Sequence, residues 1–189
     1  MLKIDSHINS FFNSITYFLT YKKELYIVDC GDADDIIEYI EKNNLVLKGI
    51  FLTHSHFDHI YGLNALYDKY HQAVVYASEY AKMALYDDKL NLSYYHEDSF
   101  IYKGDNVVIL KDSDKILLSD VEELNIIATP GHCPSCLCYY TDNYIFTGDS
   151  YIPGIKVVTK LPRGNKIKAD ESVALIHGLA KNRLVYSGH

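Results

Sequence analysis

A chain of 189 residues, 48% hydrophobic and 23% charged, is long enough to bury a core of its own and has no uninterrupted apolar stretch of membrane-spanning length. Its formal net charge of −7 argues against a life on nucleic acid, because affinity for phosphates comes largely from lysine and arginine. The four cysteines, Cys30, Cys133, Cys136 and Cys138, are too few and too clustered for a disulfide scaffold, and the opening MLKIDSHINSFFNSITYFLT lacks the apolar core of a secretory signal, so a reducing, cytoplasmic setting is expected.

In chain order, ITYFLT, LYIVDCG and GIFLT read as strands, with a helix between the second and third marked by Ile36, Ile37 and Ile40. After the loop HSHFDH, the residues Ile60, Leu63, Leu66, Tyr67 and Tyr70 repeat at helical spacing. A short strand AVVYAS and a helix from Ser78 to about Tyr86 follow. Residues 87–103 are polar and irregular, a lid or a long connection. The second half is strand-rich: NVVIL, KILLS, LNIIAT, CLCYYT and NYIFT. It ends in a helix over ADESVALIHGLAKN, with Asp170 as its expected cap, and a last strand in RLVYSGH. No repeat or low-complexity linker divides the chain, so one domain over 1–189 is expected, with helices covering packed sheets.

One pattern recurs four times: an apolar strand, a few small turn residues, then a metal-ligand side chain. It appears in IFLTHSH, IIATPGH, YIFTGD and LVYSGH. Turn residues let a chain bend sharply and carry the ligand to a sheet edge, where such ends can meet. His54 and His56 are two apart, so an extended backbone points both the same way. With His132 they offer three nitrogen ligands and leave a position open for water, as a catalytic zinc site requires. Asp58 and His59 point elsewhere and with His189 suffice for a second ion, while Asp149 is placed to serve both.

The ordered set THSHFDH, TPGHC, FTGDS and YSGH resembles the metallo-β-lactamase superfamily, from about Leu25 to the end of the chain. The resemblance implies a four-layer αβ/βα sandwich in the α/β class. It assigns His54, His56 and His132 to one metal, Asp58, His59 and His189 to a second, and Asp149 to both. It also implies two divalent ions, with zinc favoured over iron or manganese, and a bridging hydroxide that attacks a carbonyl while Asp58 orients it or moves its proton. Within the superfamily the chain is most similar to glyoxalase II-like hydrolases, so a thioester such as an S-acylglutathione-like conjugate is the expected substrate. Two differences stand out: CPSC follows His132 where such enzymes usually read Thr-Pro-Gly-Ser, and no C-terminal helical substrate domain is expected. The alternatives are a lactone or lactam hydrolase of the same superfamily, a mononuclear iron dioxygenase acting on persulfides, and a metal-stabilised binding module. The second ligand set disfavours the dioxygenase.

The remaining candidates receive plainer readings. Asp29 and Asp32 are expected to support the site or cap turns rather than bind metal. Cys136 and Cys138 are expected to pack, while Cys133, next to a ligand, is expected to line the site and make activity sensitive to oxidation. His7, His71, His96 and His177 are given no special role. Lys156, Lys160 and Arg163 suit either a solvated loop or an anionic substrate, and the tyrosines of LSYYHE either line a mouth or pack. The expected partner is a small molecule, with neither nucleic acid nor membrane; oligomeric state leaves no trace in the sequence.

Overall fold

Side chains along a strand point alternately to its two faces, and here the alternation sorts the chain into layers. The computed structural model describes residues 2–189. One sheet runs, in order, through β1 (Lys3–Ile8), β2 (Ile15–Tyr21), β3 (Glu24–Val28), β4 (Val46–Phe51), β5 (Val74–Ala77) and β6 (Val107–Ile109). Its first three strands are antiparallel and its last four parallel. The other sheet has the order β11 (Leu184–Ser187), β10 (Tyr144–Gly148), β9 (Leu137–Tyr140), β8 (Glu122–Ala128) and β7 (Lys115–Leu118), with only β10 and β11 parallel.

On the outer face of the first sheet, Phe18, Leu25 and Ile27 pack with Ile36 and Ile40 of α1 (Ala33–Asn43), Leu63 and Leu66 of α2 (Leu63–Lys69), and Ala81 and Leu85 of α3 (Glu79–Leu85). Their chain neighbours Tyr17, Leu19, Tyr26 and Val28 face the other way, onto Leu124, Ile126, Leu137, Tyr139 and Phe146 of the second sheet. Beyond that sheet, Cys138 and Ile145 pack on Ile176 of α4 (Lys166–Ala180). The result is the four-layer αβ/βα sandwich. Phe51 stacks on Tyr76 at 4.6 Å and meets Tyr139 edge-on at 5.3 Å, so aromatic rings join the two sheets.

Local chemistry sets the helix ends. The Ser78 hydroxyl accepts from the Ala81 N–H at 3.1 Å, capping α3. α1 closes on Asn44 in the left-handed region, whose N–H donates to Glu41 O at 3.0 Å. Two elements differ from expectation. β1 is an additional strand: KIDSHI is too polar to show strand periodicity, and it sits at the sheet edge, where polar residues guard against pairing with other chains. α4 begins about a turn earlier than expected, because extended Asn165, not Asp170, caps it by accepting from Lys168 N–H at 3.0 Å. Asp170 lies inside the helix and pairs with Lys166 one turn back. No described helix is long and apolar enough to cross a membrane.

Four strand ends converge at one edge of the sandwich. Asp29 N–H donates to Phe51 O at 2.9 Å, joining the ends of β3 and β4, and Leu137 N–H donates to Thr53 O at 2.8 Å, joining the two sheets. Gly188 N–H donates to Gly148 O at 3.0 Å, bringing in the ends of β10 and β11. Gly148 adopts a φ of +48°, and a Cβ there would lie 2.5 Å from Thr53 Oγ1. Gly148→Ala combines left-handed strain with overpacking and is expected to cost about 2–4 kcal/mol. Chemical denaturation would read this as a lower midpoint at unchanged slope; an unchanged midpoint would show that the turn relaxes freely.

Candidate metal centre

The loop after β4 turns sharply through a single 3-10 turn, Phe57–His59, with His59 N–H donating to His56 O at 3.0 Å. This turn separates the histidines into two groups. His54, His56 and His132 bring one ring nitrogen each to within 4.8 Å of one another, and all three are buried. Asp58, His59 and His189 form a second trio within the same limit. Asp149 lies between them: Oδ2 is 3.5 Å from His132 Nε2 and 3.5 Å from His189 Nε2, and Oδ1 is 3.6 Å from His59 Nε2. All seven residues singled out in the sequence therefore meet in one place.

The outer nitrogen of most rings is already engaged, which turns the other into the site, where His132 Nε2 lies 2.9 Å from His56 Nδ1. His132 Nδ1 donates to Val158 O at 2.8 Å, His59 Nδ1 to Asp29 Oδ2 at 2.8 Å, and His189 Nδ1 to Phe12 O at 3.1 Å. The Thr53 hydroxyl gives its proton to Asp29 Oδ2 at 2.7 Å, so at 3.1 Å it accepts from His54 Nδ1. His54 Nε2 and Asp149 Oδ1 are then buried without any hydrogen-bond partner. In the second trio, His59 Nε2 and His189 Nε2 face each other at 3.3 Å with Asp58 Oδ2 3.5 and 3.4 Å away, a convergence of two imidazole nitrogens on one carboxylate. Such a set is satisfied only by positive charge, and the donors fit a metal ion.

The electrostatics divide along the same line. Burial holds His54 well below its usual pKa and takes His56 down to about 3, with neighbouring histidines adding to the effect. Burial also lowers His132, so the first trio offers neutral nitrogens. His59 is opposed by burial, but Asp58, Asp29 and Asp149 outweigh it and lift the ring to about 9. Hydrogen bonds to Asp149 and Asp58 lift His189 to about 10. Protons thus occupy the second trio where a cation is absent.

A sequence profile of the metallo-beta-lactamase superfamily matches residues 10–189. The chain belongs to that superfamily. It is similar to the crystal structure of the B3 metallo-beta-lactamase BLEG-1, with 26% identity over 99% of this chain and 91% of that one and a TM-score of 0.91. It shares its fold with TTHA1623 in a di-iron-bound form, at 20% identity over 98% and 91% of the two chains and a TM-score of 0.84. The same holds for ETHE1 from Myxococcus xanthus, at 21% identity over 99% and 75% and a TM-score of 0.77.

In this superfamily member His56 and His132 of the first trio, Asp58 and His189 of the second, and Asp149 form the floor of a cleft of about 670 Å³, with His54 and His59 buried beneath it. Its walls are Phe12, Phe57, Leu92, Tyr95, His96, Val158, Leu161 and Pro162, and among the described residues no lysine or arginine lines it. His96, given no role in the sequence, stacks on Phe57 at 5.3 Å and meets Phe11 edge-on at 5.1 Å. Its nearness to Tyr95 in the irregular middle segment was the one available signal. Lys156, Lys160 and Arg163 lie outside the cleft lining, and so does Cys133, contrary to its expected place in the site. Its sulfur turns inward to Ser135 and Cys136, because the turn after His132 folds back under the histidines.

Asp29 takes the supporting role expected of it. Its Oδ1 accepts from Thr53 N–H at 2.7 Å, and its Oδ2 accepts from both Thr53 Oγ1 and His59 Nδ1. Asp32 accepts from Ser10 N–H at 2.6 Å and from its hydroxyl at 2.7 Å, tying down the loop before β2 without capping α1 through its side chain.

Two outcomes follow from these contacts. Asp29→Asn turns an amide N–H toward groups that are themselves donors; metal affinity at the second trio is expected to fall about 10–100-fold, with about 1–3 kcal/mol lost in stability. Calorimetric titration and thermal unfolding read the two effects, and unchanged values in both would remove Asp29 from its supporting role. A metal entering the second trio must also displace protons from His59 and His189, which hold them below about 9 and about 10. From pH 8 to pH 6 its affinity is therefore expected to drop at least about tenfold per unit, while the first trio stays nearly flat. Competition with a chelator of known pH dependence measures both, and equal slopes would contradict this division.

Proposed function

We propose that the protein is a dinuclear metal-dependent hydrolase of carbonyl substrates, with a thioester as the favoured class. The observation that carries this reading is the pair of His and Asp trios at and beneath the cleft floor, with His54 Nε2 and Asp149 Oδ1 buried and unpartnered. His54, His56 and His132 would hold the first ion and Asp58, His59 and His189 the second, with Asp149 within reach of both. Imidazole and carboxylate donors favour zinc and also accommodate iron or manganese. Bound ions supply a water that is nucleophilic near neutral pH and a Lewis acid for the substrate carbonyl.

The chain's own groups do the rest. Burial opposes ionisation of Asp58, but His59 and His189 keep it below the usual carboxylate range, so it is a charged acceptor able to orient the attacking water and take its proton. The backbone holds it there, since Ser14 Oγ donates to Asp58 O at 2.7 Å. The aromatic and aliphatic walls bind the acyl group and exclude water from it. They offer no cationic partner for the carboxylates of a glutathione moiety, so the acyl portion carries most of the recognition.

The similarity to BLEG-1, named a B3 metallo-beta-lactamase, supports lactam hydrolysis as the second reading. Elemental analysis of the purified protein, paired with hydrolysis assays on acyl thioesters and lactams, tests both. Two ions per chain, thioester turnover abolished by chelation, and a kcat lowered at least about a hundredfold in Asp58→Asn are expected. Turnover of lactams alone would select the second reading. One iron per chain, no hydrolysis and oxygen uptake with a persulfide would replace both with a dioxygenase.

A further inference from the structure

The CPSC turn after His132 plays no part in the chemistry above, yet it places two thiols in contact beneath the first trio. Cys133 Sγ lies 3.2 Å from Cys136 Sγ, and both residues are only 3% exposed. The other two cysteines are differently placed. Cys30 is buried in the core of the first sheet, and Cys138 is engaged with Thr129 Oγ1 at 3.2 Å in the opposite outer layer.

The pair is wired to the histidines by two routes. The first is direct, since Cys133 follows His132 in the chain. The second runs through Ser135: Cys133 Sγ lies 3.0 Å from Ser135 Oγ, which accepts from Ser55 N–H at 3.1 Å and contacts Ser55 Oγ at 3.1 Å. Ser55 is the residue between His54 and His56. Ser135 is held in turn by Ser78 Oγ, which donates to its carbonyl at 2.8 Å. The backbone segments that carry the three histidines are thus tied to a turn whose internal link is a thiol–thiol contact.

We propose that Cys133 and Cys136 form a site of reversible disulfide modification by peroxide that loosens the first metal trio. One thiolate attacks peroxide, becoming a sulfenic acid as the other oxygen leaves as water. The second thiol then displaces hydroxide from that sulfur, which departs as a second water. Overall, two thiols and one hydrogen peroxide give one disulfide and two waters; both sulfurs are oxidised and both peroxide oxygens reduced. Closing the contact to the disulfide length of about 2.05 Å draws Cys133 Sγ away from Ser135 and pulls on the backbone of His132. Metal–ligand distances in a well-formed site stay within about 0.2 Å of their standard values, so a shifted His132 weakens the trio.

This rests on the first trio binding metal, and its readouts do not depend on hydrolysis. The full-length, metal-loaded protein is treated with hydrogen peroxide, then assayed for free thiols in denaturant, intact mass and metal affinity. The expected result is a fall from four free thiols to two, a mass loss of about two units, and first-site affinity at least tenfold weaker, all reversed by dithiothreitol. Cys136→Ser and, separately, Cys133→Ser are expected to keep their three thiols and a peroxide-insensitive affinity. Four surviving thiols, a mass gain from sulfinic acid, or a disulfide that leaves metal affinity unchanged would each overturn the proposal. If the reduced protein binds no metal at the trio, both this inference and the hydrolase reading fail. If it binds metal but hydrolyses nothing, only the hydrolase reading fails.

Discussion

The candidate site depends on one buried carboxylate. Asp29 sits at the end of β3 with a φ of +58°, an uncommon conformation for a residue other than glycine, and is 2% exposed. Left unpaired there, its charge would be costly, but three donors meet it: the Thr53 N–H, the Thr53 hydroxyl and His59 Nδ1. Each donor does structural work. Through Thr53 the carboxylate fixes the end of β4 and the tautomer of His54; through His59 it orients a ring of the second trio. The same Thr53 side chain packs against Gly148, so the turn presenting Asp149 is shaped by the residue that Asp29 holds. One desolvated anion thereby aligns groups from three strand ends.

This arrangement works because of the sandwich topology. Parallel neighbours β3, β4 and β5 end on the same edge, as do β10 and β11. Loops leaving that edge from the two sheets face one another across a core of Tyr17, Phe51, Tyr139 and Phe146. Tyr139 donates to Leu52 O at 2.6 Å and Tyr17 to Ser187 O at 2.6 Å. Aromatic packing between the sheets and the spacing of the ligand-bearing ends are thus set by the same residues, and movement of one sheet on the other would separate the trios.

The parts of the structure legible in the sequence are those written in local chemistry. Strand followed by turn followed by ligand is a short-range pattern, and each instance brought its histidine or aspartate to the shared edge. What was not legible depends on contacts between segments distant in sequence. Phe12, His96 and Leu161 come from three separate loops, and nothing local marks them as neighbours. The polar strand β1 exists because β2 is there to pair with it, and α4 begins where Asn165 is extended rather than where apolar periodicity starts. Lys156, Lys160 and Arg163 carry the charge expected of an anion site, yet loop geometry keeps them out of the cleft.

The loop before β2 shows how closely substrate contact and site geometry are joined. Phe12 and Asn13 adopt φ values of +54° and +58°, a conformation that costs a bulky residue about 1–2 kcal/mol and persists only when its surroundings over-determine it. They do so here. Asn9 Nδ2 donates to Ser14 Oγ at 3.1 Å and to Thr16 Oγ1 at 3.2 Å, and Asn9 Oδ1 accepts from Asp32 N–H at 2.9 Å. The tightened turn then serves two purposes with one residue: the Phe12 ring forms a wall of the cleft, and its carbonyl accepts from His189 Nδ1. Two residues on, the Ser14 hydroxyl holds the backbone of Asp58. Two members of the second trio are therefore braced by the same strained segment that forms a wall of the cleft, and a single hydrogen bond joins Phe12 to His189.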